Sequence, residues 1–150
     1  MGDNRRMRFL FLLPIVVACS SSETEPEDTG SGPGCGDPST HDLSVLFAVE
    51  DEQGNGVANL EVSLVDKAWE PGVLGSSSTD GQGKGALLAE GVTDLPNCWG
   101  TMLNYVAEVT DPNGYYQSAE KPVNSYLYGA IDDGSFEADL TAFPITVVPQ

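Results

Sequence analysis

From residue 41 onward, apolar and polar positions alternate with a period of two. In Leu43-Ser44-Val45-Leu46-Phe47-Ala48-Val49-Glu50 the residues Leu43, Val45, Phe47 and Val49 share one face. Leu60, Val62 and Leu64 alternate with Glu61 and Ser63, and Leu103, Tyr105, Ala107 and Val109 alternate with Asn104, Glu108 and Thr110. Successive side chains of a strand point to opposite sides, so each segment reads as a strand with one face on a core and the other toward water. Between them lie Asp51-Glu52-Gln53-Gly54-Asn55-Gly56, Thr79-Asp80-Gly81-Gln82-Gly83 and Asp111-Pro112-Asn113-Gly114. These residues tolerate positive φ or preset a turn, and the first two segments are expected to close hairpins. No stretch of a dozen residues carries a helical apolar stripe free of Gly and Pro. The pattern therefore predicts an all-β fold, an antiparallel sandwich of about seven strands.

The first 40 residues follow a different pattern. Arg5, Arg6 and Arg8 lead into the apolar run Phe9-Leu10-Phe11-Leu12-Leu13-Pro14-Ile15-Val16-Val17-Ala18, which stops at Cys19. As a helix these ten residues span only about 15 Å, half of a bilayer core, which suits an export signal and not a membrane span. Val16-Val17-Ala18-Cys19 resembles the lipobox of bacterial lipoproteins, and that resemblance implies that Cys19 becomes the lipidated first residue of the processed chain. Met7-Arg8 would serve equally well as the start of such a signal. Two or three acyl chains, at about 0.8 kcal/mol per buried methylene, hold a protein on a membrane permanently. Ser20, in place of an Asp, favours the outer membrane of the bacterial cell envelope. Residues 20–40 contain no Val, Ile, Leu, Met or aromatic residue, and Glu23, Glu25, Glu27 and Asp28 repel one another, as in a solvated tether. The expected division is a signal peptide at 1–18, a lipidated acidic linker at 19–40 and the sandwich at 41–150.

Charge narrows the partners. Six Lys and Arg stand against 23 Asp and Glu, a formal net charge of −17. Removing residues 1–18, with three Arg and Asp3, takes it to −19 and leaves Lys67, Lys84 and Lys121 as the side-chain cations. Such a surface repels phosphate backbones, so nucleic acid is not an expected partner. The expected partners are the membrane, through the lipid, and an envelope glycan or protein.

The order of a strand, Asp51…Gly54-Asn55-Gly56-Val57, Asn59-Leu60-Glu61-Val62-Ser63-Leu64, Thr79-Asp80-Gly81-Gln82-Gly83 and Asp111-Pro112-Asn113-Gly114-Tyr115 resembles the carboxypeptidase regulatory-like domain over roughly residues 43–123. The resemblance implies a prealbumin-like, immunoglobulin-like sandwich in which the aromatic after Asn113-Gly114 plugs one end. Segments 91–102 and 124–135 stand outside it as insertions. Such domains act as folding aids, spacers or adhesive modules, so the resemblance implies no enzyme.

With Cys19 lipidated, Cys35 and Cys98 form an even pair in an exported chain, which points to a disulfide. It would close a loop of 63 residues and remove roughly 4 kcal/mol of unfolded-state entropy. Two cysteines and the distant His41 supply no four-ligand metal set. Asp51-x-Gln53-x-Asn55-Gly56 resembles the start of an EF-hand loop, but Val62 stands where the bidentate Glu belongs, so a plain turn is expected, as at Asp132-Asp133-Gly134. No metal and no cofactor is expected. The chain has one His and no Gly-x-Ser-x-Gly elbow, so no catalytic residue is assigned. Trp69, Trp99, Tyr126 and Tyr128 sit in Gly-, Pro- and Asn-rich contexts that read as loops, where rings can stack on sugars or seat a protein. The sequence thus points to a lipid-anchored envelope protein whose sandwich is a non-catalytic structural or binding module. The alternatives are a carbohydrate-binding or adhesion module using the loop aromatics, and an undetected envelope hydrolase.

Overall fold

A computed structural model describes residues 36–68, 72–96 and 103–150. The strands are β1 (Ser39–Glu50), β2 (Glu61–Asp66), β3 (Gly72–Ser78), β4 (Lys84–Asp94), β5 (Tyr105–Thr110), β6 (Ala119–Pro122), β7 (Glu137–Asp139) and β8 (Ile145–Thr146), with one helix, α1 (Asn124–Asp132), between β6 and β7. One sheet runs β4-β1-β7 with β8 also on β1, and the other runs β3-β2-β5-β6. The inward faces are the ones the alternation selects. Leu43, Val45, Phe47 and Val49 from one sheet meet Leu60, Val62, Leu64, Tyr105, Ala107 and Val109 from the other, all at most 3 % exposed. The expected all-β sandwich is the fold, with eight strands among the described residues. β1 begins at Ser39, two residues inside the segment read as linker.

The expectation of hairpins at the Asp51 and Asp80 turns is corrected at both. The Asp111 turn does close a hairpin, β5 with β6. The turn after β1 begins as one, with Val57 N–H donating to the Val49 carbonyl at 3.0 Å, and then leaves. Asn59, at φ 61°, redirects the chain, and Leu60 exchanges hydrogen bonds with Thr79 of the opposite sheet. The turn at Asp80 likewise carries β3 of one sheet into β4 of the other. An aspartate-led turn reverses the chain, but its local chemistry does not choose which sheet the next strand joins.

The two arches lock together through glycine. Gly83 sits at φ +75°, and a Cβ there would meet backbone only: the Val49 carbonyl, Val57 N at 2.6 Å and Gly56 Cα at 2.7 Å. A Cβ on Gly56 would run into the Gln82 carbonyl.

β1 pairs with β7 and β8 in parallel, against the expected antiparallel order. A parallel partner needs a crossover, and α1 supplies it by carrying the chain from β6 across to β7. Val123, Leu127, Ala130 and Ile131 repeat at i, i+4, i+7 and i+8, a helical stripe confined to nine residues and so invisible in a window of twelve. Asn124 fixes the start of the helix to β5: its Oδ1 accepts from Tyr105 N–H at 2.7 Å and its Nδ2 donates to the Leu103 carbonyl at 2.6 Å. Gly134, at φ +71°, ends it and donates to the Ile131 carbonyl.

Candidate functional site

Cys19, Cys35, Trp69, Cys98 and Trp99 lie outside the described residues. The other two candidate aromatics are described, and their assignment to loops is corrected: Tyr126 and Tyr128 are on α1. Two residues apart on a helix is about 200° of rotation, so they point to different sides and do not form one platform. Tyr126 is half-buried and packs on Phe143, with ring centroids 6.0 Å apart at 52°. Tyr128 is 36 % exposed. Tyr115, the aromatic expected to plug the sandwich end, is 72 % exposed, and it is Tyr116 that packs against the core.

The structure instead gathers aromatics along the seam where β6 faces the C-terminal segment. Residues 115–121 and 143–150 run antiparallel. Gln117 N–H donates to the Val148 carbonyl at 2.8 Å and Gln150 N–H to the Tyr115 carbonyl at 2.9 Å, while Tyr116 bridges to Pro149. At the other end Lys121 Nζ donates to the carbonyls of Phe143 and Pro144 and lies 5.8 Å from the centroid of the Phe143 ring. Burial holds the pKa of Lys121 below its ordinary value, opposed in part by the field of Glu50. Tyr115, Phe143 and Val148, at 72 %, 58 % and 40 % exposure, leave apolar surface along this seam. The sequence reading passed over Phe143. The available signal was the run Leu140–Gln150, with an aromatic and no charged side chain in a very acidic protein.

The acidic turns spend their carboxylates locally. Asp51 accepts from the side-chain amide of Asn55 and from the backbone of Asn55, Gln53 and Gly54, and these bonds, the Asn55 amide first, hold its pKa below the usual value. Backbone N–H groups of Lys84 and Gln82 do the same for Asp80, and the side-chain bond from Thr141 leads the same effect at Asp139. At Asp111 desolvation pulls upward, but the N–H groups of Asn113, Tyr115, Tyr116 and Gly114 together win and the pKa is lowered. Each carboxylate works as the acceptor of its own turn. Among the described residues no three His, Cys, Asp or Glu side chains gather as a metal-ligating group.

His41 has both a hydroxyl and a carboxylate beside it. Ser39 Oγ is 3.1 Å and Asp94 Oδ2 3.8 Å from the same atom, Nε2. A nucleophilic relay needs the carboxylate on the ring nitrogen opposite the one that takes the hydroxyl proton. This trio lacks that geometry, and the ring rests on Phe136 with centroids 5.5 Å apart. Lys67 reaches Glu108 at 2.8 Å and Glu120 at 2.7 Å, and both bonds raise its pKa. Its backbone N–H donates to the Asn104 carbonyl at 2.9 Å.

Comparison with known proteins adds no relative: no family model, no curated protein and no solved structure matches the chain. Among the described residues no helix is long and apolar enough to cross a membrane.

Proposed function

We propose that this chain is a lipid-anchored protein of the bacterial cell envelope, with the outer membrane as its site, and that its sandwich serves as a non-catalytic structural or binding module of the carboxypeptidase regulatory-like, immunoglobulin-like kind. The observation that carries the reading is the order basic stretch, apolar run, Val16-Val17-Ala18-Cys19 and polar acidic tether. The domain's chemistry is in keeping with it: the acids of the turns are engaged by their own backbone, and the hydroxyl and carboxylate at His41 meet one nitrogen.

The test is Cys19→Ser. The variant should incorporate no palmitate and should leave the membrane fraction, and a variant that still pellets and labels overturns the proposal.

A Cys35–Cys98 disulfide belongs to the same reading, because export exposes the pair to an oxidising compartment. The described chain on either side supports it. Gly36 N–H donates to the Pro96 carbonyl at 2.8 Å, and the β1–β4 ladder pairs Ser39 with Asp94. Alkylation of the unreduced protein should leave both thiols unlabelled, and quantitative labelling overturns the bridge.

A further inference from the structure

The second reading of the sequence, a carbohydrate-binding module, was placed on Trp69, Trp99, Tyr126 and Tyr128. The described surface offers a different place for it. Residues 112–119 and 140–150 contain no charged side chain, while next to them Glu120 is taken up by Lys67 and Lys121 by the carbonyls of Phe143 and Pro144. On a chain of net charge −17 the seam formed by these two segments is therefore a track poor in charged side chains, with the carboxylates of Asp111 and Glu50 at its margins. Phe143 and the half-buried Tyr126 stand at one end, beside Lys121, and Tyr115 stands at the other. The six residue steps from Tyr115 to Lys121 set a length of about 20 Å in extended chain.

Between the rings lie neutral hydrogen-bonding groups, and two of them are held in place. Gln117 Nε2 donates to the Pro149 carbonyl and Gln150 Nε2 to the Tyr116 carbonyl, each at 3.1 Å. With the nitrogen of each amide engaged, its oxygen is left in a fixed position as an acceptor. Groups fixed before binding lose little freedom on binding.

We propose that this seam is a binding track for a neutral polysaccharide, with Tyr115 and Phe143 as stacking platforms and the side-chain oxygens of Gln117 and Gln150 accepting from sugar hydroxyls. The C–H face of a pyranose is apolar and weakly positive, and it fits the negative face of an aromatic ring. The charge pattern selects the occupant. An anionic glycan or an anionic membrane surface is repelled by the surrounding acids, and so is a second copy of the chain, whereas a neutral polymer feels none of that field. The proposal rests on the reading of the domain as a non-catalytic binding module and fails independently of the anchor, which Cys19→Ser tests.

The experiment uses the full chain, purified in detergent, in affinity gels containing hydroxyethylcellulose, galactomannan or dextran, with alginate as the anionic control. At least one neutral polymer should retard the protein and alginate should not. Tyr115→Ala and Phe143→Ala should each weaken that binding roughly five- to tenfold, and both variants should unfold at the wild-type temperature, because both rings are exposed. No retardation by any neutral polymer overturns the proposal. So does equal retardation by alginate, or retardation that both variants retain in full. Concentration-dependent self-association that Phe143→Ala abolishes overturns it in favour of a second copy of the chain.

Discussion

Where β3 meets β4, the two sheets touch backbone to backbone, whereas between β6 and β8 a segment bonded to both sheets fills the gap. On the first side a Cβ added to Gly75 would strike the Leu88 carbonyl, and one added to Gly85 would press on the Phe47 ring and lie 3.0 Å from the Ser78 carbonyl. On the second side Ile145 pairs with Val49 of β1, Val147 N–H donates to the Glu50 carbonyl, and the Val148 carbonyl turns the other way to accept from Gln117. A strand bonded to both sheets spaces them apart and can carry side chains outward, and that is where Tyr115 and Phe143 stand. The glycine seam has no room for a ligand because glycine was needed to close it. The difference separates the part of the edge closed by backbone contact from the part that leaves exposed rings, where the binding track is proposed.

The sharpest way to break this comparison is to add one methyl group to the glycine seam. Gly83→Ala must accept positive φ and a clash with backbone atoms that cannot rotate away, and it is expected to cost about 3 kcal/mol or more. Gly75→Ala should cost a similar amount from the clash alone. Gly54 is also at positive φ, +81°, but a Cβ there meets nothing, so Gly54→Ala isolates the conformational part, about 1 kcal/mol. Urea unfolding measures all three. If Gly83→Ala and Gly54→Ala destabilise equally, the seam is not packed as described.

On the opposite seam the inward and outward positions should separate. Ile145 is 3 % exposed, so Ile145→Ala leaves a cavity and should cost about 3 kcal/mol. Phe143→Ala removes a larger side chain from a surface position and should change stability by less than about 0.5 kcal/mol. A loss at Phe143 comparable to that at Ile145 would make the exposed ring a structural wedge and would remove the basis for a recognition surface there.

The two seams were unequally legible in the sequence. Strand alternation marked the inward faces of β1, β2 and β5 because a half-buried strand imprints its period on every residue. Gly54-Asn55-Gly56 and Gly81-Gln82-Gly83 signalled turns, but the close approach of Gly56 to Gly83 joins residues 27 apart, and no local pattern records which two turns will touch. β8 is two residues long, too short for a period, and its parallel pairing depends on where α1 delivers the chain. Tyr126 looked like a loop residue because Gly129 and Asn124 flank it. Its ring in fact touches Phe143, 17 residues further on. Residues brought together by such long-range packing leave only a compositional trace, here the uncharged run from Leu140 to Gln150.

The smallest expected effect is in acid, and it divides between the seams. Asp51 and Asp80 lead the arches beside Gly56 and Gly83, and Asp111 and Asp139 flank the other side. All four have their pKa lowered below 3.8 in the folded protein by hydrogen bonds that only the charged form accepts well. A carboxyl whose folded pKa lies below its unfolded pKa binds fewer protons folded than unfolded. It adds stability above the unfolded value, and that stability is lost as pH falls from about 3.8 through the folded value. Neutralising the crowded acidic surface works the other way, since it relieves repulsion as the pH is lowered from 7. The thermal midpoint should therefore rise on mild acidification, pass a maximum near pH 4 and fall below it. Asp80→Asn should lower the midpoint at pH 7, flatten the acid fall and converge with the parent once the pH has dropped through the lowered pKa of Asp80. Asp111→Asn should do the same on the aromatic side, because its backbone N–H bonds outweigh the desolvation that opposes its charge. A midpoint that climbs without a maximum down to pH 2 would show that repulsion outweighs the turns, and an effect at only one of Asp80 and Asp111 would show that acid acts on one seam alone.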